Sequence, residues 1–135
     1  DNNWARSSKV RLLATDIAQP MVEATRRASY PRAAADSIPL PYRAAWVRED
    51  GDQLVLADEV RTMVTARVLN LFGDWPMRQQ YDAIFCRNVM IYFDDASKAE
   101  LEQRLVDQLA PGGTLYMGHS ERLTGPAASA MRLCG

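Results

Sequence analysis

The chain has 135 residues, 47% hydrophobic and 24% charged, the length and composition of one soluble globular domain able to bury a real core. Sixteen Lys and Arg against seventeen Asp and Glu leave a net charge of −1, which argues against a basic nucleic-acid footprint and against an acidic solvating tail. No window reaches the roughly 18 apolar residues a membrane span needs, the opening Asp1-Asn2-Asn3 reads as no signal peptide, and Cys86 and Cys134 are too few for a disulfide framework, as expected of reduced thiols in a cytoplasmic protein.

In chain order, Arg11 to Ile17 reads as a short strand with a polar exit at Asp16. Pro20 suits a first helical position, and the helix continues from Met21 to Ala28. Pro31, Pro39 and Pro41 predict irregular or turn structure from Tyr30 to Tyr42. Trp46-Val47-Arg48 and Gln53 to Leu56 flank Glu49-Asp50-Gly51-Asp52, a hairpin signal. A helical turn is expected near Asp58 to Thr62, then an alternating strand from Val64 to Leu69 that ends at Asn70-Leu71. Gly73 to Pro76 makes a loop, and Tyr81 to Cys86 is the next strand. Asp94-Asp95 can cap a helix over Ala96 to Leu109, with Ser97 and Glu100 spaced as a capping box and Leu101, Leu105 and Leu109 along one face. Pro111-Gly112-Gly113 is expected to stop that helix before a strand from Thr114 to Gly118. Strands alternating with helices imply an α/β fold with a largely parallel sheet, the hairpin being an insertion.

Ligands of such sheets bind at the carboxyl ends of strands, which directs attention to Asp16, Asn70-Leu71, Arg87-Asn88 and Gly118-His119. A carboxylate at a strand exit, like Asp16, can accept hydrogen bonds from vicinal hydroxyls; the alternative is a helix cap or a solvated turn acid. Asn70 and Leu71 could recognise the edge and face of a purine, or serve a turn and the core. The run from Cys86 to Asp94 is the most informative. An Arg-Asn pair directly after an apolar strand is expensive to bury without partners and points to a ligand site. Tyr92 adds a phenol donor that can orient a carboxylate. The alternatives are an ion pair of Arg87 with Asp94 or Asp95, and a core role for Tyr92. His119 is the only histidine, and neither Ser120 nor Cys86 sits in a nucleophile signature. No metal site is expected from one His and two scattered Cys; His119-Ser120-Glu121 reads as a strand-end cap. There is no G-x-G-x-x-G and no P-loop.

Together, Ala14 to Ile17, Leu69 to Leu71, Tyr81 to Asp94, Leu109 to Gly113 and Gly118 to Glu121 resemble the catalytic domain of CheR-type chemotaxis protein-glutamate O-methyltransferases. The phrase from Phe85 to Asp94 is specific to that family, whereas Pro-Gly-Gly is common among methyltransferases. The resemblance implies a Rossmann-like class I methyltransferase sheet with a small antiparallel β insertion, placed at about residues 36–62. It implies S-adenosyl-L-methionine as cofactor and S-adenosyl-L-homocysteine as product. Asp16 would contact the ribose; Asn70, Leu71, Cys86, Arg87 and Asn88 would line the cofactor pocket; Tyr92 would face the methyl-transfer centre. The substrate would be glutamate side chains on the cytoplasmic helical domain of methyl-accepting chemoreceptors, and the enzyme a monomer with no nucleic-acid partner and no membrane insertion.

The chain departs from that pattern in having no counterpart of the family's N-terminal helical domain or of its first strand with the acidic, Gly-containing cofactor loop. The 135 residues are therefore expected to be a portion of a longer enzyme, with the parallel sheet split between the Asp16 and Asn70 strands and the Phe85 strand. Two competing readings are a methyltransferase acting on another substrate and a non-catalytic, methyltransferase-like docking module.

Overall fold

Among residues 10–132, which the computed structural model describes, the apolar runs form seven strands and the capped segments four α-helices. The chain divides into two units, residues 1–73 and 74–135.

In the first unit, β1 (Leu12–Asp16) lies parallel to β5 (Val64–Val68), in register from Leu12↔Val64 to Asp16↔Val68. A parallel pair needs a long crossover, and here it contains α1 (Gln19–Arg27) and a small antiparallel sheet. Pro20 stands in the first turn of α1, where its missing N–H is harmless. Arg26 and Arg27 stand in the last turn, at the negative end of the helix dipole. Ala28 ends the helix in the left-handed region, φ 50°, its N–H donating to Ala24 O.

The antiparallel sheet has the order β2 (Ser29–Pro31), β4 (Gln53–Leu56), β3 (Val47–Asp50). Asp50 faces Gln53 across a two-residue turn, Gly51-Asp52. Of those two only Gly51 has positive φ, 57°, the type II′ pattern whose twist suits a hairpin. Leu54 on the central strand is buried. The irregular stretch expected from Tyr30 to Tyr42 is a correction. Tyr30 and Pro31 belong to β2, a 3₁₀ turn spans Arg32–Ser37, and α2 (Leu40–Trp46) starts after Pro39 with Pro41 in its first turn. Proline obstructs a helix only beyond its first turn, so here it marks a start. The short α3 (Asp58–Arg61) leads into β5.

In the second unit, β6 (Tyr81–Cys86) lies parallel to β7 (Leu109–Met117), joined through α4 (Asp95–Asp107). Asp94 caps α4, its carboxylate accepting from Ser97 N at 2.8 Å. That hydrogen bond holds the Asp94 carboxyl below its usual range. The expected Ser97–Glu100 capping box does not form, because the helix begins one residue earlier; Glu100 lies 3.9 Å from Arg104, one turn on. Leu101 and Leu105 are buried on one face of α4 as the spacing predicts; Leu109 is buried too, but as the first residue of β7 and not on the helix.

Pro111-Gly112-Gly113 corrects a second expectation. The helix already ends at Asp107, with Gln108 as its C-cap, and these residues lie inside β7. Pairing passes from Tyr81↔Leu109 to Ala83↔Thr114, so β7 bulges. A bulge tolerates proline because no ladder donor is needed there. A Cβ on Gly113 would stand 2.9 Å from Ala110 O and 3.1 Å from both Tyr81 O and Asp82 O. On the exposed side of this pair, Phe85 stacks on Tyr116 with ring centroids 4.4 Å apart. The α/β expectation with an antiparallel insertion thus holds. So does the split of the parallel strands: β1–β5 and β6–β7 are separate two-stranded sheets.

Candidate functional site

The seven residues singled out from the sequence fall into two groups, one in each unit. In the first, β1 and β5 end side by side, and Leu69 N donates to Asp16 O at 2.9 Å. Asp16, Asn70 and Leu71 therefore leave the sheet at one edge, its carboxyl end. Asp16 is exposed; its Oδ1 accepts from Ala18 N at 2.8 Å, just ahead of α1. The turn-acid alternative is thus realised for one oxygen, and Oδ2 has no partner among the described residues. Asn70 is also exposed, and its Oδ1 accepts from Phe72 N at 3.0 Å, which shapes the turn. Leu71 is half-buried.

The second group follows β6. Cys86 ends the strand buried; its thiol is pushed up to about 11, first by burial and then by the Glu121 charge, so it is protonated near neutrality. Arg87 and Asn88 are exposed, and Arg87 makes no ion pair among the described residues. Its expected alternative partners do not take it: Asp94 is occupied as the helix cap and Asp95 opens α4. Asn88 has φ 59°, a left-handed conformation that Asn adopts more readily than most residues. The chain then makes a 3₁₀ turn, Met90–Tyr92, that buries Met90 and leaves Tyr92 79% exposed. The core alternative for Tyr92 is ruled out by that exposure.

Sequence reasoning missed what holds this turn. Glu121 is only 8% exposed, and its carboxylate accepts four backbone N–H groups. Oε2 takes Asn88 N at 2.7 Å and Gly118 N at 2.9 Å; Oε1 takes Val89 N at 3.0 Å and Met90 N at 2.8 Å. Burial raises its pKa, but the hydrogen bonds from Asn88, Gly118, Met90 and Val89 outweigh it, and the net direction is downward. Gly118 allows the approach: a Cβ there would collide with Glu121 Oε2 and lie 2.7 Å from Asn88 Oδ1. The expected strand-end cap at His119-Ser120-Glu121 was therefore partly right. The available signal was an acid three residues after a strand-end glycine; its second set of partners, more than thirty residues back, left none. His119 itself is exposed.

Glu102, on α4, was also missed. It is fully buried and accepts from Thr124 N at 3.0 Å and Gly125 N at 2.7 Å, fixing the segment beyond the Gly118–Glu121 turn. No helix among the described residues is long and apolar enough to cross a membrane.

Comparison with known proteins bears on what these features serve. The chain is 37% identical over 121 residues to a probable chemotaxis protein methyltransferase of Rhizobium etli, covering 87% of this chain and 45% of that protein. It is 37% identical over 117 residues to chemotaxis protein methyltransferase 2 of Pseudomonas aeruginosa, covering 83% and 42%. A chemotaxis protein methyltransferase of Vibrio parahaemolyticus is 37% identical over 118 residues, with 86% and 43% covered. The chain thus spans less than half the length of these relatives. The family model described as CheR methyltransferase, SAM binding domain, matches residues 2–133. Nearly the whole chain lies within that match, and it belongs to the CheR methyltransferase family, by its SAM-binding domain.

Proposed function

We propose that the protein takes a methyl group from S-adenosylmethionine and transfers it to glutamate side chains on the cytoplasmic helical domain of chemoreceptors, forming methyl esters. The observation that carries this reading is the exit of β6: an exposed Arg87 with no ion pair among the described residues, a left-handed Asn88 and an exposed Tyr92, all following the carboxyl end of a parallel strand. Such a surface is of little use to the core and is well suited to a polar ligand.

The residues present fit the cofactor's chemistry. The Asp16 Oδ2, without a partner among the described residues, suits a ribose diol, and the Asn70 NH₂ can donate to a purine nitrogen. The Arg87 guanidinium suits the cofactor's own carboxylate. Cys86, protonated and buried, would contribute apolar lining and takes no part as a nucleophile. When bound, S-adenosylmethionine supplies an electrophilic methyl group on a sulfonium. The acceptor glutamate is already ionised near neutrality, its ordinary pKa being about 4.3, so the protein needs no general base. Its task is alignment and proximity, and Tyr92 would orient the acceptor carboxylate through its phenol. The ester removes one negative charge from the receptor helices.

The test is calorimetric titration of S-adenosylhomocysteine into the full-length protein, followed by transfer of labelled methyl from S-adenosylmethionine to a receptor cytoplasmic fragment. One-to-one micromolar binding and a base-labile labelled product are expected. A folded protein that binds no S-adenosylhomocysteine refutes the cofactor, and binding without labelling refutes the substrate. Tyr92→Phe should lower turnover far more than cofactor affinity; turnover equal to wild type would make Tyr92 a bystander.

A further inference from the structure

We infer that Glu121 is a positioning residue for the cofactor pocket, holding the turn after β6 in its ligand-ready form before any ligand arrives. The inference rests on the function proposed above and adds to it a residue outside the seven read from the sequence.

Arg87, Asn88 and Tyr92 lie on a segment with little regular structure of its own, between the end of β6 at Cys86 and the start of α4 at Asp95. Three consecutive N–H groups in it, those of Asn88, Val89 and Met90, point to one side and meet a single carboxylate. Successive N–H groups converging in this way form an anion-binding concavity. Here the anion is the protein's own Glu121. With the amides turned inward, Arg87 and Asn88 remain exposed, Asn88 with its Oδ1 beside Gly118, and the left-handed φ of Asn88 is held by the same clamp. The same carboxylate takes Gly118 N, so the turn at residues 87–90 and the turn at residues 118–121 are fastened as one piece. Both follow the carboxyl ends of neighbouring parallel strands, β6 and β7, where ligands of such sheets sit.

A capping role confined to stability would require only that the donors be satisfied somewhere. The positioning role requires an acceptor on both oxygens. Glutamine separates the two: Glu121→Gln keeps the shape but turns an NH₂ toward two of the four N–H donors, so one side of the cradle is repelled.

The experiment uses the full-length protein and S-adenosylhomocysteine as the probe. Glu121→Gln should weaken binding at least about tenfold, a difference of about 1.4 kcal/mol. The backbone amide resonances of Asn88, Val89 and Met90 should shift together, while those of β1 and β5 stay in place. A dissociation constant within twofold of wild type, in a folded Glu121→Gln protein, overturns the inference and leaves the proposed function standing. Absence of binding to the wild type overturns the proposed function and this inference with it. Should Glu121→Gln fail to fold, Gly118→Ala presses a Cβ on Glu121 and Asn88 from the other turn. It should weaken binding similarly, and unchanged binding there overturns the inference too.

Discussion

Removing the carboxylate of Glu102 should loosen the segment after the Gly118–Glu121 turn by an amount that depends on what replaces it. Oε2 lies 2.7 Å from Gly125 N and 3.2 Å from Thr124 N, so one oxygen in that place reaches both donors. Glu102→Gln, with its amide oxygen set there, keeps both bonds in neutral form but puts its NH₂ in the place of Oε1, 3.0 Å from Thr124 N, donor against donor. Bonds to charged groups contribute about 1.5–3 kcal/mol and neutral ones about 0.5–1.5, a loss of about 1–1.5 for each bond and so about 2–3 kcal/mol for the pair. Glu102→Ala orphans both donors. Thr124 is exposed and Gly125 half-buried, so water recovers part of the penalty; at about 1 kcal/mol for each amide, plus about 0.8 for a lost buried methylene, the cost is about 3 kcal/mol. Urea denaturation of the two variants beside wild type measures the difference, and hydrogen exchange at the Thr124 and Gly125 amides locates it. An alanine variant within about 0.5 kcal/mol of wild type, the range of ordinary surface changes, would refute the reasoning.

Gly113→Ala should destabilise by about 1–3 kcal/mol, because the new methyl meets backbone carbonyls that cannot swing aside as a side chain would; a thermal midpoint equal to wild type would contradict the bulge geometry. Cys86, with its thiol pushed up to about 11, should resist a thiol reagent at pH 8 in a Cys134→Ser background and react only on unfolding. Labelling at the rate of a free thiol would show that it is accessible. Glu121 and Asp94 both have folded pKa values below their unfolded ones, so their contributions are present above the unfolded values of about 4.3 and 3.9 and are lost as pH falls through the folded ones. The urea midpoint should therefore drop as pH is lowered below about 4, and Glu121→Gln should flatten part of that slope; an unchanged slope would place the acid sensitivity elsewhere.

The elements that could be read from the chain were those whose signals are local. Alternation in Val64 to Leu69, the Asp-Gly hairpin and the Leu101–Leu105 face of α4 each carry their evidence within a dozen residues, and the structure follows them; Leu109, expected on the same face, opens β7 instead. β2 was illegible because a three-residue strand exists only through its pairing with β4, more than twenty residues on. α2 was illegible because Pro39 and Pro41 read as breakers until the helix start is known. The polar exit after β6 was visible as an anomaly, since Arg-Asn is costly after an apolar strand. Its support was not visible: the bond from Asn88 N to Glu121 spans 33 residues, and no periodicity records it. Asn70 shows the opposite weakness, where one side chain carries a local turn bond and a candidate contact at once, so the residue type alone could not choose between them.

The clamp at Glu121 addresses N–H groups and no side chain at positions 88–90. Any amino acid other than proline can present those donors; position 88 is narrowed further to residues that accept positive φ, and position 90 to a side chain that fills the buried place of Met90. Val89 can therefore change identity without disturbing the anchorage, as can the neighbouring Arg87 and Tyr92, which the clamp does not touch. The side chains that the turn presents can then be rewritten by substitution while the way it is held remains fixed. In this chain the outward side chains and the scaffold that holds them rest on different atoms of the same few residues.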